Sequence, residues 1–439
     1  MPSIDLTAHL RGAAVFSFPH MELLARDHEP PIIAGEGELR IVSEREFTYE
    51  IRGMPPDLGH TLRAINRLRE DRYDGLNRFR LEMRDAQGQD WSGGWTIPEV
   101  DVDAAPWRIW GRCDSFGAEH DGAPQQGRSE ARFLIPPDYA ASLMLGRFLP
   151  PTEGGLGLRS RVLHVLGAPV TFAFDFDQDI LTLSVPFQAP FLAPYAENWL
   201  GEPLRILFGQ LVYPRLFGRH FPEGRSRLTL RPSPRWTPDS TWLALWIEDD
   251  RLYNAAGFFE LYAGLLALVA HGGAFENHTV TEYYDQAIQA ARGSRWVIAM
   301  TLASSIEGLL RLLVPRGALR PDADAEALQH LLSHLDTWTG PAGLNNATRR
   351  RFVDAARSRI ASLDQLSVQR ALLDLVATGV GRRDQVEAWI SVRNRVMHGE
   401  LVSPYSSPEE DQILANLAGL MRALTRELVR RATLALRAD

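Results

Sequence analysis

Lysine is absent from this 439-residue chain, so its 47 basic side chains are all arginine. That absence removes the phosphate-binding lysine of Walker-type and kinase sites and every Schiff-base mechanism. The glycine-rich run EGGLGLRS at 153–160 is therefore not a P-loop. Cysteine is almost absent as well. Cys113 alone excludes an internal disulfide and a cysteine-rich zinc site, and it points to a reducing compartment. It lies in the strand-like stretch RIWGRCDSF and reads as a buried structural thiol. No apolar run of membrane-spanning length is uninterrupted. The two richest carry Glu260 in one case and Glu307 with Arg311 in the other, and both read as core helices, not membrane spans. The chain opens without a charged-then-apolar leader, so a cytoplasmic location with no membrane partner is the expectation.

The formal net charge is −8, which excludes a polycation that coats nucleic acid. The charge is uneven, however. From residue 342 onward about fifteen arginines face about eleven carboxylates, which leaves room for a confined basic cleft.

Two periodicities divide the chain. The first half alternates at period two, as in GELRIVSEREFTYEIRG, and reads as strands with a helix at DLGHTLRAINRLRE. TFAFDFDQDILTLSVP reads as a hairpin with its turn near Asp177 to Asp179. Its aspartates lack the glycine and distal glutamate of a calcium loop, so they read as a polar tip. Trp91, Trp95, Trp107 and Trp110 read as core or edge packing, with ligand stacking as the minor alternative. RLTLRPSPRWTPDS, rich in proline and serine, is the linker candidate. Beyond it the period is helical, with helices expected at 256–271, 281–314, 325–337, 346–362, 366–377, 383–397 and 408–436. The expected fold class is α+β, with a strand-rich domain over 1–240 and an all-α bundle over 250–439.

One helix end stands apart. In AWISVRNRVMHGELVSP the apolar stripe of Val386, Trp389, Ile390, Val396 and Met397 is expected to carry Arg393 at its middle. Asn394 and His398 lie four residues apart on one flank, and Gly399 can take the left-handed conformation that ends a helix. A permanent cation, an amide and a titratable imidazole thus gather at one corner. That set suits phosphodiester chemistry, with guanidinium donors for the phosphorane and a histidine to move a proton. Glu307, inside an apolar helix, needs a cationic or hydrogen-bonding partner. Arg349, Arg350 and Arg357 lie on one amphipathic helix, a solvated face that becomes a phosphate-contacting wall if RNA is the substrate. His330 and His334 have the spacing of half a zinc site but no third ligand, so neither a metal nor a cofactor is expected.

RNRVMHGE, Arg393 to Glu400, resembles the Arg-polar-x3-His signature of HEPN domains. RWVIAMTLASSIEGLLRLLV is similar to their central helix, with Glu307 at its acidic position. The Apea-like HEPN proteins of prokaryotic defence systems are the nearest subgroup, and the likeness runs from about residue 253 to 436. It implies a metal-independent endoribonuclease, a hydrolase acting as a homodimer in which two signatures share one cleft. In that reading Arg393 stabilises the phosphate, Asn394 positions it, His398 serves as acid or base, and RNA's own 2′-hydroxyl is the nucleophile. A variable N-terminal domain would receive the trigger, such as a phage-derived one, for a toxin-like effector in anti-phage defence. The alternative is a catalytically silent HEPN dimerisation module with an N-terminal ligand- or protein-binding domain, in which Arg393 pairs with Glu307.

Overall fold

A computed structural model describes residues 5–25, 29–72, 74–102, 105–152, 157–248, 251–252, 254–273, 277–315, 325–341, 344–361, 366–397, 399–400 and 405–438. The change of periodicity is a change of architecture: the fold is α+β, strands first and helices after.

The first strands are Ala14–Leu24 (β1), Ile33–Ser43 (β2) and Glu46–Met54 (β3). Helix Leu58–Glu70 (α1) follows, capped by Asp57, whose carboxylate accepts from the His60 N–H at 2.9 Å. Then come Phe79–Arg84 (β4), Asp90–Thr96 (β5), Glu99–Asp101 (β6) and Trp107–Cys113 (β7). Neighbours run β5–β4–β1–β2–β3–β7, and the pairing of Thr96 with Cys113 joins β5 to β7 and closes a six-stranded antiparallel barrel. Alternation sends Phe18, Met21, Leu39, Phe47, Ile51, Leu81, Trp91 and Ile109 inward. Gly35 and Gly53 face each other across β2 and β3, and a Cβ on either would lie 2.1 Å from a backbone carbonyl oxygen. The two strands approach that closely only because both residues lack one.

The remaining strands extend the sheet: Phe116–His120 (β8), Arg128–Leu134 (β9), Leu158–Val165 (β10), Ala168–Asp175 (β11), Ile180–Pro186 (β12), Leu216–His220 (β13) and Ser226–Leu230 (β14). Their order is β10–β11–β12–β9–β13–β14–β8, and β8 pairs with β5, so fourteen strands form one sheet. Interspersed helices are Ala140–Phe148 (α2), Ala196–Trp199 (α3) and Glu202–Phe208 (α4). The β11–β12 hairpin lies where alternation places it. Asp175 closes its turn by accepting from the N–H groups of Asp177 and Gln178 at 2.9 and 3.1 Å.

Arg215, wholly buried, ties distant segments of this unit together. Its guanidinium donates to the carbonyls of Leu10 (2.9 Å), Glu44 (3.2 Å), Arg231 (2.7 Å) and His9 (3.4 Å), and it lies over the Phe47 ring. The linker candidate is not a linker. Its first residues belong to β14, Trp236 and Ser240 are buried, and the Thr237 backbone exchanges hydrogen bonds with Gln210. Proline and serine there serve an ordered, packed segment.

Two compact units result, one of Met1–Ile288 with Ala435–Asp439 and one of Gln289–Leu434. Helices Ala255–Gly272 (α5) and Thr279–Ala290 (α6) thus fall almost wholly in the strand-rich unit. The apolar face of α5 packs on the sheet, where Phe259 and Tyr262 meet Phe172 of β11 at 5.4 and 4.6 Å between ring centres. A buried ion pair holds α6: Arg205 of α4 donates to Asp285 at 2.6 Å, Tyr213 donates to the same carboxylate, and Thr281 donates to Glu202. A single helix over 281–314 is not what forms. The chain breaks at 291–294, where Gly293 N–H bonds the Ala290 carbonyl and Ser294 caps the next helix.

That next helix is Arg295–Leu313 (α7). Ala325–Thr337 (α8), Asn346–Ala361 (α9), Val368–Ala377 (α10), Arg383–Met397 (α11) and Pro408–Ala438 (α12) complete the helical unit. α7 packs against α10 and α11, and α12 lies against α10–α11 and α7 through Leu420 beside Gly381 and Arg431 on the Leu313 carbonyl. α8 and α9 form a hairpin inserted between α7 and α10, and among its described residues none is buried. α5 and α7 are both apolar and long enough to cross a membrane, and each buries a face in its own unit. α7 is not enclosed all round: Val297 and Leu312 are exposed on its outer side.

Candidate functional site

The C-terminal end of α11 is built from its buried face outward. Gln385, Val386, Ala388, Trp389 and Val392 are its buried positions among the described residues. The Trp389 indole donates to the Ala303 carbonyl of α7 at 3.0 Å, which fixes the rotation of α11 on the bundle. Once that rotation is set, Arg393 lies about 100° round from Val392 and emerges at the margin. It is exposed, not central to the stripe, and Ile390 is only half-buried. The stripe expected from spacing ran one position too far round, because the neighbouring helices cover the face centred on Trp389 and Val392. The Arg393 guanidinium lies 5.7 Å from the Trp389 ring centre, within cation–π range, and the residue as a whole is exposed. Asn394, next in line, is exposed too.

The helix ends as its glycine indicated. Gly399 takes φ +74°, its N–H bonds the Val396 carbonyl at 3.1 Å, and Glu400 N–H bonds the Arg395 carbonyl at 2.8 Å. That pair of bonds is the Schellman ending. His398 lies outside the described residues. Arg395 fastens this end to the start of α12 through Glu410 at 3.2 Å, and Arg295 of α7 reaches Asp411 at 2.5 Å. The corner therefore has its position set by three helices.

Glu307 is partly buried and takes its cation from the next turn of its own helix, Arg311. It is not the partner of Arg393. The need for a counter-charge was legible in the sequence, and the local i,i+4 solution was the simplest one.

The arginines of α9 lie on the hairpin whose main packing partner is α8. Arg350 is exposed, Arg349 is half-buried, and Arg357 pairs with Asp336 of α8. The same hairpin leaves Leu331, Trp338 and Phe352 exposed around an apolar hollow of about 460 Å³. His330 and His334 are exposed, with rings 5.0 Å apart.

In the strand-rich unit the sequence reading missed the buried charge cluster of Glu202, Arg205 and Asp285. Burial raises the pKa of both carboxyls, Glu202 and Asp285, against the pull of Arg205. The ion-paired residues stand eighty positions apart, and no local spacing marks them.

No family model matches the chain, and no curated protein or solved structure does.

Proposed function

We propose that the helical unit is an RNA-cleaving module of the HEPN kind, with Arg393, Asn394 and His398 as its reacting groups. The observation that carries the reading is the exposure of Arg393 at a helix end whose only described aromatic neighbour, Trp389, is itself anchored. A guanidinium held in place and open to solvent is what an incoming phosphate needs. The silent-module reading used Glu307 to neutralise Arg393, and Glu307 is occupied by Arg311.

The chemistry follows from the groups. The RNA 2′-hydroxyl loses its proton to an imidazole and attacks the adjacent phosphorus. The P–O5′ bond breaks, and the leaving oxygen takes a proton from a second imidazole. Arg393 bears the charge gathering on the non-bridging oxygens, and Asn394 orients them. The products are a 2′,3′-cyclic phosphate and a 5′-hydroxyl, so atoms and protons balance without metal or cofactor. One chain supplies one such histidine, and a C2 homodimer would supply the second. In this reading the strand-rich unit receives the trigger, and the assembly acts in the cytoplasm as a defence effector.

The test compares wild type with Arg393→Ala and His398→Ala on a labelled RNA, with end-group analysis. Each variant should lose about 10²- to 10⁴-fold in rate. A 2′-deoxy nucleotide at the scissile position should abolish cleavage there. Undiminished cleavage by both variants would end the assignment.

A further inference from the structure

The outer face of the barrel carries a second site of different chemistry. On β3 and β7 the residues between the buried ones point outward, which brings Glu50, Arg108, Trp110 and Arg112 to one surface. After Thr96 the chain leaves β5 and returns along the free edge of β7 as β6, with Glu99 opposite Trp110. The detour borders an open hollow of about 830 Å³, within the size of sites that hold a small organic ligand. Five arginines and three carboxylates line it, a net positive surface.

Two features set it apart from an ordinary charged sheet face. Trp95 stands at the rim with half of its surface exposed, at 51%. Its backbone is nonetheless pinned: its N–H donates to Asp114 at 2.9 Å, and Gly94 before it takes the left-handed conformation, φ +67°, where a Cβ would strike that same carboxylate. An indole presented to solvent on a fixed backbone is a stacking platform, and among the described residues no ring or guanidinium stacks on it. Second, the guanidiniums are held loosely. Arg72 pairs with Glu99 at 3.3 Å and Arg112 with Glu46 at 2.7 Å, both arginines being more than half exposed, and such pairs exchange readily for a phosphate that accepts a fork of two donors. Arg108, by contrast, is braced between Glu50 at 2.7 Å and the Trp110 ring at 5.0 Å.

We propose that this cavity binds a nucleoside phosphate, with the base on Trp95 and the phosphate between Arg72 and Arg112. An acidic peptide would use the arginines and leave the indole idle, and an apolar ligand would do the reverse. The ligand could be a free nucleotide or the 5′-phosphorylated end of a single strand, which share this chemistry. The site uses no residue of the α11 corner and stands or falls apart from RNA cleavage.

Titration calorimetry on the full chain tests it, with four probes: ATP, adenosine, tripolyphosphate, and a 5′-phosphorylated 2′-O-methyl tetranucleotide, which the proposed cleavage cannot consume. ATP or the tetranucleotide should bind saturably at one site per chain, and adenosine and tripolyphosphate more weakly. The tighter of the first two names the source. Trp95→Ala should weaken binding about fivefold or more, and Arg112→Gln by a similar factor. Both side chains are exposed, and unchanged circular dichroism confirms the fold of each variant. Absence of saturable binding by either nucleoside phosphate, or wild-type affinity in both variants, would overturn the proposal.

Discussion

Replacing Arg215 by methionine puts the organisation of the strand-rich unit to a quantitative test. The guanidinium is fully buried, and among the described residues it bonds backbone carbonyls and no carboxylate. Burial pulls its pKa down to about 10, so it remains cationic at neutral pH. Methionine keeps much of the volume beside Phe47 and removes every donor. The Glu44 carbonyl retains the Ser233 N–H at 2.7 Å, and the His9 contact at 3.4 Å is weak. The carbonyls of Leu10 and Arg231 lose bonds of 2.9 and 2.7 Å. Two buried acceptors left unsatisfied cost about 2–6 kcal/mol, and relief from burying a cation trims this to about 2–4 kcal/mol. For a unit of this size that corresponds to a fall in melting temperature of roughly 4–16 °C. Scanning calorimetry of wild type, Arg215→Met and Arg215→Lys measures it. Lysine, with three donors on a single point, should fall between the other two. A methionine variant melting with the wild type would show that the carbonyls find other donors, and the clamp would be no clamp.

Two further outcomes follow from buried groups. Burial pushes the Glu130 pKa up, but the His220 ring 3.6 Å away and the guanidiniums of Arg132 and Arg128 outweigh it and hold the carboxyl at about 2. Because the folded value lies below the ordinary 4.5, this group's contribution is fully present above about pH 4.5 and is lost as pH falls through about 2. Urea denaturation across that window should therefore show a shallower acid loss in Glu130→Gln than in wild type, and parallel curves would contradict the assignment. Burial, with Asp114 adding to it, pushes the Cys113 thiol up to about 12. A thiol reagent should leave the native protein unmodified at neutral pH and label it only after denaturation, and fast native labelling would refute the burial.

Much of this molecule was decided locally. Alternation in TFAFDFD and the Asp175 carboxylate within it were enough to specify the β11–β12 hairpin and its turn, because side-chain period and turn chemistry are properties of neighbours in the chain. The bounds of α8 and α11 and the glycine ending of α11 were likewise legible. The break between α6 and α7 was not, because both sides carry helical periodicity and only Gly293 and the Ser294 cap separate them.

The rest needed the third dimension. Spacing places Arg393 in an apolar seam, but it emerges beside that seam, since the face that counts is the one α7 covers through Trp389 and Ala303. A sequence determines what each helix could bury; its packing partners decide which of the possible faces is buried. The barrel closure at Thr96 and Cys113, the Arg215 clamp and the Arg205–Asp285 pair join residues far apart in the chain. The cavity beside Trp95 exists only because β6 returns along β7. Residue types and their periods are written along the chain, but a site assembled by strand order appears only once the sheet has closed.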